Sequence, residues 1–371
     1  MTATRAGRPQ GPPARTSWLL VLTGLSCAYR VDLPTAMPAE DAGASPDGTV
    51  GNFASDTSLD ESSPSDRFSP RGSDQCRFLH VFQPQVEMII ALDRSASMQK
   101  NAFDSTTRFQ AFQQAIDSSI SSHPRIQYGL EQFPSWGDCG TATCCAGHVA
   151  VQPAPNHSTE IQNSIGSGCG PGDMGCQAAG IDSPSHLALG KCRDYFTQEG
   201  SQGHSSYFVL LVTDRDPTCG GDASPDSSVC SLAVDEANKL GANLVQTFVL
   251  SLNDDASATG CLEKMAGSNA NYFTDGAQQF WVASDQPQLR AQLDTIMTTA
   301  EAKLCRFSLD PTPSNPDQMV VEINHAHVPR DQGWSFTDTT FSEIVLTGAS
   351  CTEVSTGQGD NTPMVLDDCP F

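Results

Sequence analysis

The sequence predicts an α/β fold: a doubly wound, mostly parallel sheet with a small β-rich C-terminal appendage. Three observations predict it. Met88-Ile-Ile-Ala-Leu92 and Tyr207-Phe-Val-Leu-Leu-Val212 are unbroken apolar runs of strand length, as strands covered on both faces require. Helical stripes alternate with such runs from about residue 84 to residue 304. Beyond residue 305 the stripes stop and short strand candidates replace them.

At the N-terminus, Arg5, Arg8 and Arg15 precede Trp18-Leu-Leu-Val-Leu22 and then Thr23-Gly-Leu-Ser-Cys27-Ala28. Basic, apolar and small residues in that order read as a secretory signal over residues 1–27. The apolar stretch is far shorter than the roughly 20 residues a membrane-spanning helix needs. Cys27 after Gly-Leu-Ser resembles a bacterial lipoprotein cleavage site, with Gly24 where the usual Leu stands. Lipid anchoring at Cys27 and simple secretion both remain open. Residues 28–83 are rich in Ser, Asp, Pro, Gly and Ala and read as a disordered acidic tether.

In the alternating region, Phe109, Phe112, Ile116 and Ile120 form one helical stripe, and Arg125–Phe133 alternates as a strand. Val234, Ala237, Leu240 and Leu244 form a second stripe, followed by the strand Val245–Leu250. Leu289, Leu293, Ile296, Ala300 and Leu304 mark a long final helix. Residues 134–182 interrupt the alternation with a Cys-rich insertion and one helical candidate near 158–165. In residues 305–371, Met319–Ile323, Trp334–Phe336 and Glu343–Leu346 are strand candidates, punctuated by Cys305, Cys351 and Cys369.

The chain has 371 residues, a formal net charge of -23 and 14 cysteines. That charge disfavours nucleic acid and anionic lipid surfaces as partners, and no nucleic-acid partner is expected. The cysteines point to an oxidising compartment. Cys219 is expected to pair with Cys230, and Cys305 with Cys351 or Cys369. The neighbours Cys144 and Cys145 are expected to take different partners, because a bridge between adjacent residues is strained. Cys192 lies on the stripe Ser185, Leu189, Cys192, Phe196 and reads as a buried, unpaired thiol.

The candidate chemistry sits where the apolar runs end. Asp93-Arg-Ser95-Ala-Ser97 follows the first, Thr213-Asp214 follows the second, and Ser183 lies in a hydroxyl-rich loop between them. Strand ends at one edge of a parallel sheet converge on a ligand crevice. Asp93, Ser95, Ser97, Ser183 and Asp214 offer oxygen only, which suits a hard divalent cation: Mg²⁺, or Mn²⁺ or Ca²⁺. The competing reading is that both aspartates cap helices. His325-Ala-His327 reads as a surface pair on one strand face rather than a zinc site. No H-E-x-x-H or G-x-S-x-G occurs, and no glycine-rich nucleotide loop follows the first strand.

These motifs together resemble the von Willebrand factor type A (VWA) domain with its metal-ion-dependent adhesion site (MIDAS), over roughly residues 84–304. Two positions depart from that pattern: Ser183 stands for the usual Thr, and Asp214-Arg215 for the usual Asp-Gly. The tail, with Cys305, Gly333-Trp334 and Cys369, resembles those of secreted type A proteins of myxobacteria. The resemblance implies a non-enzymatic, exported envelope protein that binds a protein ligand through the cation. The ligand supplies an acidic side chain, and the membrane is met only through a lipid anchor at Cys27. Location would be the outer membrane or cell surface, or the periplasm or medium. An envelope hydrolase with an unrecognised site, or a structural protein stabilised by the metal, are the alternatives.

Overall fold

The computed structural model describes residues 76–82, 84–103, 106–134, 144–166, 182–198, 205–219, 227–253, 260–270, 279–356 and 362–369. The signal, the tether up to residue 75, Cys27, and the insertion's Cys139, Cys169 and Cys176 lie outside these residues.

In chain order the strands are β1 (Arg77–Phe82), β2 (Gln85–Asp93), β3 (Asn101–Phe103), β4 (Thr106–Thr107), β5 (Ile126–Phe133), β6 (His148–Ala154), β7 (Ser205–Thr213), β8 (Val245–Ser251) and β9 (Phe280–Val282). The helices among them are α1 (Arg108–Ser122), α2 (Ser158–Gly166), α3 (Ser185–Gln198), α4 (Ser228–Ala242), α5 (Gly260–Ala270) and α6 (Gln286–Glu301). The C-terminal part adds β10 (Arg306–Asp310), β11 (Val320–Ile323), β12 (Ala326–Val328), β13 (Trp334–Phe336), β14 (Glu343–Leu346), α7 (Gly348–Thr356) and β15 (Met364–Asp367).

The first large sheet runs β6-β5-β2-β7-β8-β9. Every pairing in it is parallel except β5 with β6. Ile89–Leu92 and Val209–Val212 are buried because helices cover both faces. α1, α2 and α6 pack on one face around Phe112, Ile116, Leu293 and Ile296. α3, α4 and α5 pack on the other around Leu189, Cys192, Ala237 and Leu262. From β2 the chain passes to β5 on one side and then to β7 on the other. That reversal opens a crevice at the C-terminal ends of β2 and β7, where open α/β sheets bind ligands.

The helix boundaries follow from side chains. Thr107 and Gln110 form a capping box at the start of α1. Ser227 caps α4, and Asp285 caps α6 ahead of a proline in the first turn. Leu244, expected to continue the stripe on α4, lies past the helix end at φ 59° and is 72 % exposed. The edge strand β6 was not foreseen. Its Pro153 packs where a Cβ on Gly129 would stand, 2.6 Å away, beside a register shift against β5.

The appendage contains more than the tail. β1 lies inside the expected tether, yet it is the central strand of a second, antiparallel sheet ordered β12-β11-β15-β1-β10-β14-β13. Arg77–Leu79 pair with β15 and His80–Phe82 with β10, so β1 joins the two halves of that sheet. The sheet curls until its edge strands β12 and β13 approach: Trp334 Nε1 donates to the Val328 carbonyl at 2.9 Å. Phe307, Val321, Trp334, Ile344 and Val365 fill its core.

The bridges correct the expected pairing. Cys219 joins Cys144 and Cys230 joins Cys261, so no Cys219–Cys230 bridge exists. Cys305 joins Cys351, as one expected option had it, and Cys76 joins Cys369. Cys145 is also disulfide-bonded, with a partner other than Cys144. Cys192 is free and buried. His325 does not share a strand face with His327: Asn324 and His325, at φ 51° and 64°, form the two-residue turn between β11 and β12.

Candidate metal centre

The β2 and β7 strand ends bring Asp93, Ser95, Ser97, Ser183 and Asp214 together, each buried or nearly so. β2 ends on Asp93, whose Oδ1 accepts from Ser95 N at 2.7 Å; this bond turns the chain away from the sheet. The next turns put Ser95 Oγ 2.9 Å from Ser97 Oγ. Ser97 Oγ donates to Asp214 Oδ1 at 2.6 Å, and Ser183 Oγ donates to Asp93 Oδ2 at 2.6 Å. All five residues therefore belong to one hydrogen-bonded cluster. Asp214 caps no described helix, since Ser227 caps the one that follows.

Three further residues belong to the centre, each held by a contact far apart in sequence. Thr213 Oγ1 donates to Asp93 Oδ2 at 2.6 Å. Thr218 clasps Ser183 on both sides: Ser183 N donates to Thr218 Oγ1 at 2.7 Å, and Thr218 N donates to the Ser183 carbonyl at 2.9 Å. Arg108, at the start of α1, reaches Asp214 Oδ2 at 3.3 Å. Only Thr213 had a signal in the sequence, as the hydroxyl beside Asp214 at a strand end. Asp216, two residues beyond Asp214, accepts from the Cys261 and Leu262 amides and anchors the start of α5.

The electrostatics favour a cation. Burial pushes the Asp93 carboxyl up to about 6, and the nearby Asp214 charge adds to that, against hydrogen bonds from Ser183, Thr213 and Ser95. Two buried carboxylates share a site in which every neutral ligand is a hydroxyl. A divalent ion relieves their repulsion, and its oxygen preference matches the donors. The residues present thus fit a hard cation: Asp93, Ser95, Ser97, Ser183 and Asp214 would hold it, and it would supply a Lewis-acidic position for an anionic ligand.

A second cluster lies beside this one. Atoms of Cys144, Cys219 and His186 lie within 4.8 Å of one another. Both sulfurs are joined in the Cys144–Cys219 bridge, so the group is a staple packed against an imidazole. It fastens the insertion to the residue after Thr218.

The strand order, the switch-point crevice and the five oxygen donors define a VWA-like fold. No protein-family model matches the sequence, and no similarity to a curated protein is found. Solved structures show likeness at the level of fold. Proximal thread matrix protein 1 from the mussel byssus is 19 % identical, with a TM-score of 0.39 over 60 % of this chain and 49 % of that one. The same mussel protein has been solved with zinc in its MIDAS motif. The PilB minor pilin from Streptococcus sanguinis is 12 % identical, with a TM-score of 0.40 over 59 % of this chain and 61 % of that one. The SpRpn10 VWA domain is 12 % identical, with a TM-score of 0.37 over 56 % of this chain and 93 % of that one. This chain thus spans about half the length of the mussel protein and under two thirds of the pilin. Below 25 % identity and a TM-score of 0.5, the reading of the site rests on this chain's own geometry.

Proposed function

We propose that this is an exported cell-envelope protein whose type A domain binds a protein ligand through a divalent cation. Asp93, Ser95, Ser97, Ser183 and Asp214 hold the ion, Mg²⁺ or an equivalent hard cation. An acidic side chain of the ligand completes the shell. The observation that carries this reading is the meeting of two buried carboxylates and three serine hydroxyls at the switch-point crevice. The carboxylates and serine hydroxyls converge as one set of hard oxygen ligands, which supports a binding module rather than an enzyme. The Cys144–Cys219 bridge ties the Cys-rich insertion beside Thr218, and the insertion is the part of the chain that would bear on ligand choice. Export agrees with the disulfides, four of which join described residues. Among the described residues no helix is long and apolar enough to cross a membrane; a lipid at Cys27 is the attachment proposed.

The test is capture of envelope proteins on the immobilised chain with Mg²⁺, with EDTA, and with Asp93→Ala. The proposal expects partners retained only by the wild-type chain in Mg²⁺. Identical capture under all three conditions refutes it. Mass spectrometry of the mature N-terminus separates lipid-anchored from soluble forms.

A further inference from the structure

We propose that Arg108 sets the charge of the centre: it weakens binding of a divalent cation alone and makes the loaded centre favour carboxylate-bearing ligands. This inference rests on the reading of the cluster as a cation site.

Arg108 is held rigidly, with 15 % of its side chain exposed. Its Nε donates to the Leu252 carbonyl at 2.7 Å and its Nη1 to the Ser97 carbonyl at 3.3 Å. The same Nη1 lies 3.3 Å from Asp214 Oδ2. The guanidinium therefore joins the end of β8, the loop after β2 and the acidic end of β7. Arg215 reaches the same carboxylate from the rim, its Nε 3.5 Å from Asp214 Oδ1 with 30 % of its side chain exposed. Asp214 is thus already compensated by protein cations. Among the described residues, Asp93 receives hydroxyls and one amide.

Charge counting gives the consequence. Asp93, Asp214, Arg108 and the more exposed Arg215 sum to no net charge, and a divalent ion makes the centre doubly positive. Without Arg108 the same ion would leave a single positive charge, that of Arg215. Arg108 thus repels the incoming metal and, once the metal is in place, leaves a more positive centre. Unit charges a few ångströms apart at a partly buried site interact strongly enough that each effect is worth about tenfold or more in affinity. Metal and anion therefore bind cooperatively, each raising the affinity of the other by the same factor.

The experiment is calorimetric titration of Mn²⁺ into the full chain, with and without saturating acetate, for wild type, Arg108→Gln, Arg108→Met, Arg108→Lys and Asp93→Ala. In the wild type, acetate should tighten Mn²⁺ binding. Arg108→Met and Arg108→Gln should bind Mn²⁺ alone about tenfold more tightly and show a smaller acetate effect, Arg215 remaining in place. Arg108→Lys keeps the charge and should stay within about threefold of wild type. The Gln variant retains hydrogen-bonding capacity, so the charge effect is read there if the Met variant melts early. Mn²⁺ binding by a charge-neutral variant that is no tighter than wild type, with an unchanged acetate effect, overturns the role of Arg108 alone. Absence of Mn²⁺ binding in every variant overturns the cation site itself.

Discussion

Two buried aspartates, one in each sheet, are treated in opposite ways. Asp367 ends β15 in the antiparallel sheet, and Asp93 ends β2 in the parallel one; neither side chain meets solvent. Asp367 accepts from Arg77 Nη2 at 2.5 Å and from Ser314 N and Oγ at 2.8 and 2.9 Å. Burial raises its pKa, but the Ser314 amide, Arg77 and the Ser314 hydroxyl outweigh that and hold it below the usual carboxylate range. Asp93 faces hydroxyls and a second carboxylate, and burial lifts it to about 6. The first carboxylate is neutralised by the protein and serves the fold. The second is left in want of positive charge, as a ligand to an ion must be.

The contrast predicts opposite outcomes for truncation in EDTA. Asp367→Ala removes the acceptor shared by Arg77 and Ser314 and should cost about 2–3 kcal/mol of stability by chemical denaturation. Asp93→Ala relieves repulsion while it removes hydrogen bonds, and should change stability by about 1 kcal/mol or less at pH 8. Equal losses in the two variants would erase the distinction between them.

A second buried acid separates fold from site within the parallel sheet. Glu131 on β5 is fully buried, and Cys192 Sγ donates to its Oε2 at 2.8 Å. Burial lifts it to about 8, against the opposing Cys192 hydrogen bond and Lys191 charge. The unfolded carboxyl ionises near 4.5, so the folded state holds the extra proton between these values. Stability should therefore fall as pH rises from about 4.5 to about 8. Glu131→Gln should flatten that decline and, on the order of 2 kcal/mol, outlast wild type at pH 9 in urea melts. A decline of the same slope in the Gln variant would show that Glu131 is not its source.

A smaller effect is expected at His123, which caps α1. Its Nδ1 lies 2.8 Å from Glu301 and its Nε2 3.0 Å from Asp294, both on α6. The Glu301 hydrogen bond leads in raising its pKa, against desolvation, with Asp294 adding to the rise. A raised histidine stabilises fully below its unfolded pKa of 6.5 and loses that contribution as pH climbs through the folded value. His123→Ala should cost about 1 kcal/mol at pH 6 and less at pH 9. A cost that does not vary with pH would remove the ion pairs from the account.

The parts that could be read from the sequence are those whose signal is local. The runs in β2 and β7 are apolar because both faces are covered, and the stripe of α1 repeats because one face is. The meeting of Asp93, Ser95, Ser97, Ser183 and Asp214 could be expected because each sits at or near a strand end or helix start. β1 could not be placed, because its partners β10 and β15 lie more than 200 residues away. β6 was hidden by Pro153, a residue that argues against a strand except at an edge. Cys219 and Cys230 are near in sequence but bond elsewhere, since pairing follows folded distance rather than spacing. Arg108 was missed because its contact with Asp214 depends on a turn that sequence periodicity does not describe.

The central claim, that the crevice between β2 and β7 holds a divalent cation, is tested most directly by a crystal soaked in Mn²⁺ and measured for anomalous scattering. A single strong peak among the oxygens of Asp93, Ser95, Ser97, Ser183 and Asp214, absent from an Asp93→Ala crystal, is the predicted result. No peak in that crevice at saturating Mn²⁺, or a peak that survives in Asp93→Ala, would contradict it.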